Sequence, residues 1–233
     1  NASKVANAWM KYTKNGLIAM QGSPTEQYME ISKMFDIPYV QQQVTLIAGT
    51  SPSLRNLQSQ YQPVDRGGLF NLIMQGESSN DPLVFNRGTT GSIGRFPTTA
   101  TFSSVEKAQS SGEAFAAGSW QGTPGVLNQG RVAAGIPDNA SFNNLNNQSK
   151  AFWGLILNTD KRPALRNYLL GRSNDINAAH QDLANEFAAI EGPSGRGAYD
   201  GDSAGNKANT KAADVRRVLE QAREELMSNP VNF

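Results

Sequence analysis

The segment that most constrains the fold of this chain is an apolar helix that runs directly into a polar turn. Residues 67–81 read GGLFNLIMQGESSND. Leu69, Ile73 and Glu77 are spaced i, i+4 and i+8, so a helix places the Glu77 carboxyl on the face that carries core side chains. A carboxyl there loses water on one side, which disfavours its charged form and raises its pKa. Two roles fit this position: a general acid working near neutral pH, or a capping or surface glutamate.

Size and composition indicate a globular protein with a polar, weakly charged surface. The chain has 233 residues, enough for one large domain or for one domain with a smaller appendage. Hydrophobic residues make up 38 % and charged residues 18 %, which supports a real core. The formal net charge of +1 gives no reason to expect broad capture of nucleic acid or of an anionic membrane, so neither is predicted as a partner.

The scarcity of metal-binding side chains excludes several chemistries. The chain has no cysteine, which excludes a thiol nucleophile, a disulfide frame and a cysteine-ligated metal. His180 is the only histidine, so no metal site and no cofactor are predicted. It falls in NDINAAHQDLANEF, where Ile176, Leu183 and Phe187 form one helical stripe, and we interpret it as structural.

No targeting or membrane segment is recognisable in the sequence. No run of about 18 apolar residues occurs, so no membrane span is expected. The start, NASKVANAWMKYTKN, lacks the apolar core of a secretion signal. It also lacks an initiating Met, and Asn1 and Ala2 fit either a processing or cloning remnant or the start of a fragment of a longer protein.

Glycine and proline divide the chain into a predicted N-terminal helical extension and a main domain. Residues 1–62 read as short helical pieces with no motif that carries chemistry, and residues 63–233 form the main domain. Within it, glycines and prolines alternate with apolar residues over 81–102, which favours a small hairpin lobe. The expected class is mainly α, of the α+β kind, with a small β-rich lobe directly after the Glu77 helix.

The remaining helices are predicted from apolar periodicity and from end signals. A helix is expected to begin at Ser103 or Ser104 as N-cap. Others are expected from 143 onward, from Pro163 to Gly171, over 174–190, and around the stripe that includes Val215 and Leu226. The glycine-rich stretch over 191–209 contains no phosphate-binding motif and is predicted to be an ordered surface loop.

Two runs around Glu77 carry a resemblance. GESSNDPLVFNRGTTG contains Glu77, and AFAAGSWQGTP follows it, with Gly118 41 residues after Glu77. Together they resemble the lysozyme-like muramidase domains of phages and phage-derived particles. In that family a catalytic glutamate in a GES or SEGT context is followed by an N-R-G-T turn and then by a G-R-Y-Q-x-x-P segment. This chain has Ser119 and Trp120 in place of the family's Arg-Tyr pair, which removes a rigid multi-donor fork.

The resemblance continues downstream, and it covers about residues 66–225 in all. DKRP at 160–163, with Tyr168 and Gly171 after it, is similar to the family's KRP…Y…G helix start. LANEF at 183–187 is similar to its LA-x-E-[WF] helix. A closing loop of the form G-x-x-Y-x-G…N is matched by Gly197, Tyr199, Gly201 and Asn206. Each motif is short, and their shared order and spacing carry the comparison.

The resemblance implies cleavage of the β-1,4 bond between N-acetylmuramic acid and N-acetylglucosamine in peptidoglycan, with Glu77 protonating the leaving oxygen. Asp81 is the nearest acid in sequence and is either a second carboxylate or a turn-forming residue before Pro82. A partner about 5–5.5 Å away suits retention, and one about 6.5–9.5 Å away suits inversion. Without a partner, Glu77 acts as acid and then as base while the muramic 6-hydroxyl attacks, which is the lytic transglycosylase route. Both routes stay open.

A cleft that binds sugars needs flat rings for stacking and amides for hydroxyl groups. The side chains predicted to contact the glycan are Asp81, Asn86, Arg87, Thr89, Trp120, Gln121 and Tyr199. Trp120 also fits a core position, as do Trp9 and Trp153, and Asn86 and Thr89 also fit a purely turn-forming role.

Three interpretations follow from the resemblance. The first is a peptidoglycan-degrading enzyme with glycan strands as its partner. The second is a non-catalytic lysozyme-like protein that binds glycan or neighbouring proteins of a virion or delivery particle, which Ser119 favours and the intact Glu77 opposes. The third is a toxin delivered between bacteria, with the same chemistry. The expected setting is a phage virion, or delivery to the bacterial periplasm and cell wall.

Overall fold

Seven helices and one two-stranded antiparallel sheet make up the part of the chain that a computed structural model describes, residues 65–88, 92–202 and 205–228. All of these residues belong to one compact unit. The elements in chain order are α1 Leu69–Ser78, β1 Val84–Asn86, β2 Ile93–Arg95, α2 Phe102–Ser110, α3 Val126–Ala133, α4 Leu145–Asn158, α5 Pro163–Leu169, α6 Ile176–Ala184 and α7 Ala212–Ser228.

A mainly helical domain with a small sheet directly after α1 agrees with the predicted class. The lysozyme-like assignment stays a prediction. The extension predicted over 1–62, including Trp9, lies outside the described residues.

Helix α1 is fixed at both ends by local chemistry. Near its start, the Asp65 carboxylate accepts a hydrogen bond of 2.9 Å from the Phe70 N–H. At its end, Ser79 and Asn80 take left-handed conformations with φ of 51° and 68°, which stop the helix. The helix therefore ends just after Glu77, at the entry to the β lobe.

Strand β1 is paired along both edges. On one side β2 pairs with it antiparallel, with Phe85 opposite Gly94. On the other side residues 115–118 run alongside: the Asn86 N–H donates to the Ala116 carbonyl at 3.0 Å, and the Gly118 N–H donates to the Val84 carbonyl at 2.8 Å. The lobe is thus wider than a hairpin, because the later segment adds a third extended piece.

Helix α2 begins two or three residues earlier than predicted. Its N-cap is Thr101, whose hydroxyl accepts from the Ser104 N–H at 3.2 Å, while the Ser104 hydroxyl accepts from the Thr101 N–H at 3.0 Å. The prediction of Ser103 or Ser104 as the cap is therefore wrong. Ser104 serves as the third residue of a reciprocal capping box.

Helix α4 lies at the centre of the core. The Phe152 ring is fully buried and meets Phe70, Trp120 and Trp153 edge-on, with ring centroids 5.2–6.3 Å apart. Helix α3, which the sequence analysis did not predict, packs on α4. A side chain at Gly154 would come within 2.5 Å of the Gly130 carbonyl, so this close helix contact depends on glycine.

Helix α6 is shorter than predicted. The pattern over 174–190 indicated a single helix, but α6 ends at Ala184. The Asn209 and Thr210 N–H groups both donate to the Ala189 carbonyl at 2.9 Å, and Ile190 forms a parallel bridge with Thr210. Tertiary hydrogen bonds to this later segment replace the helical ones, so the expected boundary is wrong by several residues.

Candidate active site

Glu77 is the chemically distinctive residue of the described domain. It lies in the last turn of α1, on the same face as Leu69 and Ile73, whose side chains are fully buried. The residue itself remains partly exposed. Burial of the carboxyl raises its pKa from the ordinary 4.5 to about 7, while a hydrogen bond from Ala189 opposes the rise. The raised pKa confirms the expectation drawn from the helix spacing, and it gives this group the proton affinity of an acid that works near neutrality.

A backbone N–H from a distant segment holds the Glu77 carboxyl. The Ala189 N–H donates to Glu77 Oε1 at 2.7 Å, across 112 residues of sequence. Ala189 is 5 % exposed, and its carbonyl accepts hydrogen bonds from the Asn209 and Thr210 N–H groups. The residues at the end of the glycine-rich stretch therefore hold the donor of Glu77 in place. Sequence reasoning missed this contact, because a backbone donor has no residue signature.

Asn86 and Gln121 are brought together in the β lobe. The Asn86 side-chain amide donates to Gln121 Oε1 at 3.2 Å. The Gln121 amide donates to the carbonyls of Gly118 and Val84 at 2.9 and 3.2 Å. Gln121 has a positive φ of 48°, which fits its place in the tight turn between the two residues of the Ala117–Gly122 bridge. These two amides therefore hold the lobe together, and their predicted contact with glycan stays a prediction.

Asp81 is engaged in local structure. Its Oδ1 accepts from the Leu83 N–H at 2.9 Å, a turn of the kind that Asp favours, and its Oδ2 accepts from Arg95 Nε at 2.9 Å. Both carboxylate oxygens are thus used to anchor the hairpin to the end of α1. The turn-forming interpretation of Asp81 is supported, while its predicted glycan contact stays a prediction.

The other residues of the predicted N-R-G-T turn are only partly described. The guanidinium carbon of Arg87 lies over the Phe85 ring, 5.1 Å from its centroid, and the residue is exposed. Thr89 lies outside the described residues. Asn86 Oδ1 accepts from the Gly88 N–H at 3.1 Å, so the start of the turn is held by the same side chain that meets Gln121.

Trp120 corrects the sequence analysis. Its side chain is 2 % exposed, and its indole N–H donates to the Gln148 carbonyl at 3.2 Å. A ring buried in the core edge-on to Phe152 cannot stack on a sugar, so the predicted contact with glycan is wrong and the core interpretation is right. Trp153 is fully buried as well.

Ser119, where the resembling family has Arg, is fully buried beside Gln148. Its backbone N–H and its hydroxyl both donate to Gln148 Oε1 at 2.7 Å. The Gln148 amide donates onward to the carbonyls of Pro82 and Phe142 at 2.7 and 2.6 Å. Neutral groups that are all hydrogen-bonded thus fill the space around Ser119, and no sequence motif singled out Gln148.

The downstream motifs meet in one ion-paired cluster. Glu186, whose side chain is 5 % exposed, bonds Lys161 Nζ at 2.7 Å and Arg162 Nε at 2.8 Å. Arg162 also donates to the Asn185 carbonyl. The KRP and LANEF segments thus pack together, and ion pairs between their charged residues join the start of α5 to the segment that follows α6.

Tyr199 and His180 take structural hydrogen bonds. The Tyr199 hydroxyl donates to the Asn185 carbonyl at 2.7 Å, while 38 % of the residue remains exposed. His180 is 2 % exposed, and its Nε2 lies 2.7 Å from the Glu191 carbonyl oxygen, in accord with the structural role expected of it. The exposed ring of Tyr199 leaves its predicted contact with glycan untested.

The fold and the site define a mainly helical domain whose first described helix ends in a partly exposed carboxyl with a raised pKa. Comparison of the chain with protein-family models, with curated proteins and with solved structures finds no match. Within the described ranges no group of three or more His, Cys, Asp or Glu is placed to hold a metal ion. Over the same residues, no helix has both the length and the apolar character needed to cross a bilayer.

Proposed function

We propose that this protein degrades peptidoglycan by cleaving the β-1,4 bond between N-acetylmuramic acid and N-acetylglucosamine, with Glu77 as general acid. One observation carries the proposal: a partly exposed carboxyl with a pKa of about 7 lies in the last turn of α1, just before the chain enters the β lobe. A carboxyl with that proton affinity is largely protonated just below neutral pH and can donate to the leaving oxygen. The order of the sequence motifs supports the choice of substrate.

Of the two chemical routes, the engaged state of Asp81 favours lytic transglycosylation. Its two oxygens already accept from the Leu83 N–H and from Arg95 Nε in the hairpin, and the transglycosylase route asks nothing further of this carboxylate. In the transglycosylase route, Glu77 protonates the leaving oxygen and then removes the proton of the muramic 6-hydroxyl as that oxygen attacks C1. The bond from C1 to the leaving oxygen breaks, a 1,6-anhydro bond forms, and Glu77 returns to its protonated state.

The test is digestion of purified peptidoglycan by the wild type, by Glu77→Gln and by Glu186→Gln, with the released muropeptides identified by mass spectrometry. We expect anhydro-muramic ends from the wild type and from Glu186→Gln, and a loss of about 10²-fold or more in Glu77→Gln. Reducing muramic ends instead would assign hydrolysis. Release of nothing by a folded wild type would refute the enzyme and favour the glycan-binding or structural alternative.

A further inference from the structure

Gly76, the residue before the proposed acid, occupies a position where helix propensity favours almost any other residue. It lies in the last turn of α1, two residues before the helix ends at Ser78. Glycine is less favourable than alanine inside a helix, because it loses more backbone freedom on folding. The local structure therefore gives no reason for glycine here.

Tertiary packing supplies the reason. A Cβ atom at position 76 would lie 2.8 Å from Thr210 Oγ1 and 2.9 Å from the Ala189 Cβ, both closer than real Cβ contacts. The Gly76 carbonyl also accepts a hydrogen bond of 3.3 Å from the Asn209 side-chain amide. The two segments that meet at Ala189 and Thr210 thus dock directly onto the bare backbone of this glycine.

The docked segments are the ones that carry the hydrogen-bond donor of Glu77. Ala189 receives hydrogen bonds on its carbonyl from Asn209 and Thr210, and its N–H donates to Glu77 Oε1 at 2.7 Å. Because the Ala189 side chain and its N–H belong to the same residue, any displacement of Ala189 away from position 76 also displaces the donor from the carboxyl.

We infer that Gly76 is a positioning residue for Glu77: the missing side chain lets Ala189 and Thr210 approach α1 closely enough for the Ala189 N–H to hold the carboxyl in one orientation. The inference rests on the proposed function for its consequence in turnover. Its physical content, the hold on the carboxyl, is measurable whether or not the protein is an enzyme.

The direct experiment is a titration of the Glu77 carboxyl by carbon-13 NMR in the wild type and in Gly76→Ala, with the signal assigned by its loss in Glu77→Gln. The Ala189 N–H favours the ionised form, so weakening it raises the pKa of Glu77, by about one unit for a hydrogen bond to a charged group. On peptidoglycan, kcat is expected to fall about 10-fold or more with KM little changed, and the alkaline limb of the pH profile to move upward.

Gly154→Ala is the matched control. It places an even more crowded Cβ in a helix, 2.5 Å from the Gly130 carbonyl oxygen and 2.9 Å from the Ala134 Cβ, near the contact of α3 with α4. It is expected to lower stability without moving the Glu77 titration. When Gly76→Ala is combined with Ala189→Gly and Thr210→Ala, the pKa of Glu77 is expected to return toward its wild-type value. The two added substitutions remove both atoms that the new methyl group would meet.

The outcomes separate the two proposals. A Glu77 titration that is unchanged or moves downward in Gly76→Ala, or that moves equally in Gly154→Ala, overturns the positioning role. If Gly76→Ala does not fold, Asn209→Ala loosens the same contact by removing the donor to the Gly76 carbonyl, and a smaller upward shift is expected. No shift there overturns the inference too. If the Glu77 titration shifts as expected in Gly76→Ala but the wild type cleaves nothing, the enzyme is refuted while the positioning role holds.

Discussion

Glu77 and Glu186 are two glutamates whose carboxyl groups have contrasting neighbours: a neutral backbone N–H for Glu77 and two cations for Glu186. Glu186 lies between two cations, Lys161 and Arg162, with nitrogen to oxygen distances of 2.7 and 2.8 Å. Glu77 is held by a neutral backbone N–H, and burial dominates its surroundings. Adjacent cations stabilise a carboxylate that is partly removed from water, whereas Glu77 meets only a neutral donor and burial raises its pKa. The comparison separates a structural acid from a candidate catalytic one.

The largest effect expected from this contrast is in the pH dependence of activity. Glu77 must be protonated to act as the acid, and its pKa is about 7. Between pH 7 and pH 9 we expect kcat/KM on soluble peptidoglycan fragments to fall about 50-fold, because the protonated fraction of Glu77 falls from about one half to about one hundredth. A profile that stays flat over this interval would break the assignment of Glu77 as the acid.

The next effect is on stability, which Glu77→Gln is expected to gain above neutral pH although it loses activity. The native state holds the Glu77 proton up to about pH 7, while the unfolded chain releases it near 4.5, so the free energy of unfolding falls as pH rises through this window. Over the 2.5 pH units between these pKa values the fall is at most about 3 kcal/mol. Glu77→Gln is therefore expected to be more stable than the wild type at pH 8 and nearly equal at pH 4, as measured by urea unfolding.

Glu186→Gln is expected to be less stable than the wild type. Removal of its charge leaves Lys161 and Arg162 without their partner, and we expect a loss of about 2 kcal/mol in the free energy of unfolding. Urea unfolding at pH 7 measures it, and peptidoglycan cleavage by the folded variant should stay within a few-fold of the wild type. Equal stability changes of one sign in the two variants would remove the distinction between the two glutamates.

The smallest effect is expected at the edge of the Glu186 cluster. Tyr199→Phe removes the hydroxyl that donates to the Asn185 carbonyl, and 38 % of the residue is exposed. Since Arg162 also donates to that carbonyl, the loss should be about 0.5 kcal/mol. Thermal unfolding measures the stability. A large drop in glycan affinity in the same variant would show that the exposed ring contacts substrate.

The extent to which the sequence predicts this molecule depends on the range of the interactions. The face of Glu77 follows from helix geometry alone, so the spacing of Leu69, Ile73 and Glu77 was sufficient. The β lobe followed from glycine and proline in one short stretch. The Thr101 cap was missed by two or three residues, because three neighbouring hydroxyl residues compete for one local role.

Long-range features were out of reach. The donor to Glu77 comes from 112 residues away and is a backbone group, which no side-chain pattern marks. Trp120 occupied a motif position that suggested a glycan contact, yet Gln148 accepts its indole N–H from 28 residues further on. Distant hydrogen-bond partners such as Gln148 decide which side of a turn faces the core. Periodicity within a short segment does not reveal these partners.

The amide of Gln148 has a consequence for how the domain opens. Through its two ends it joins three chain segments, at Pro82, Ser119 and Phe142, to the central helix α4. None of these segments can separate from α4 without leaving buried polar groups unpaired, which disfavours any partial opening. The Ser119 backbone N–H should therefore undergo hydrogen exchange only together with the α4 amides. In that case the turn around Ser119 and helix α4 open as one cooperative unit.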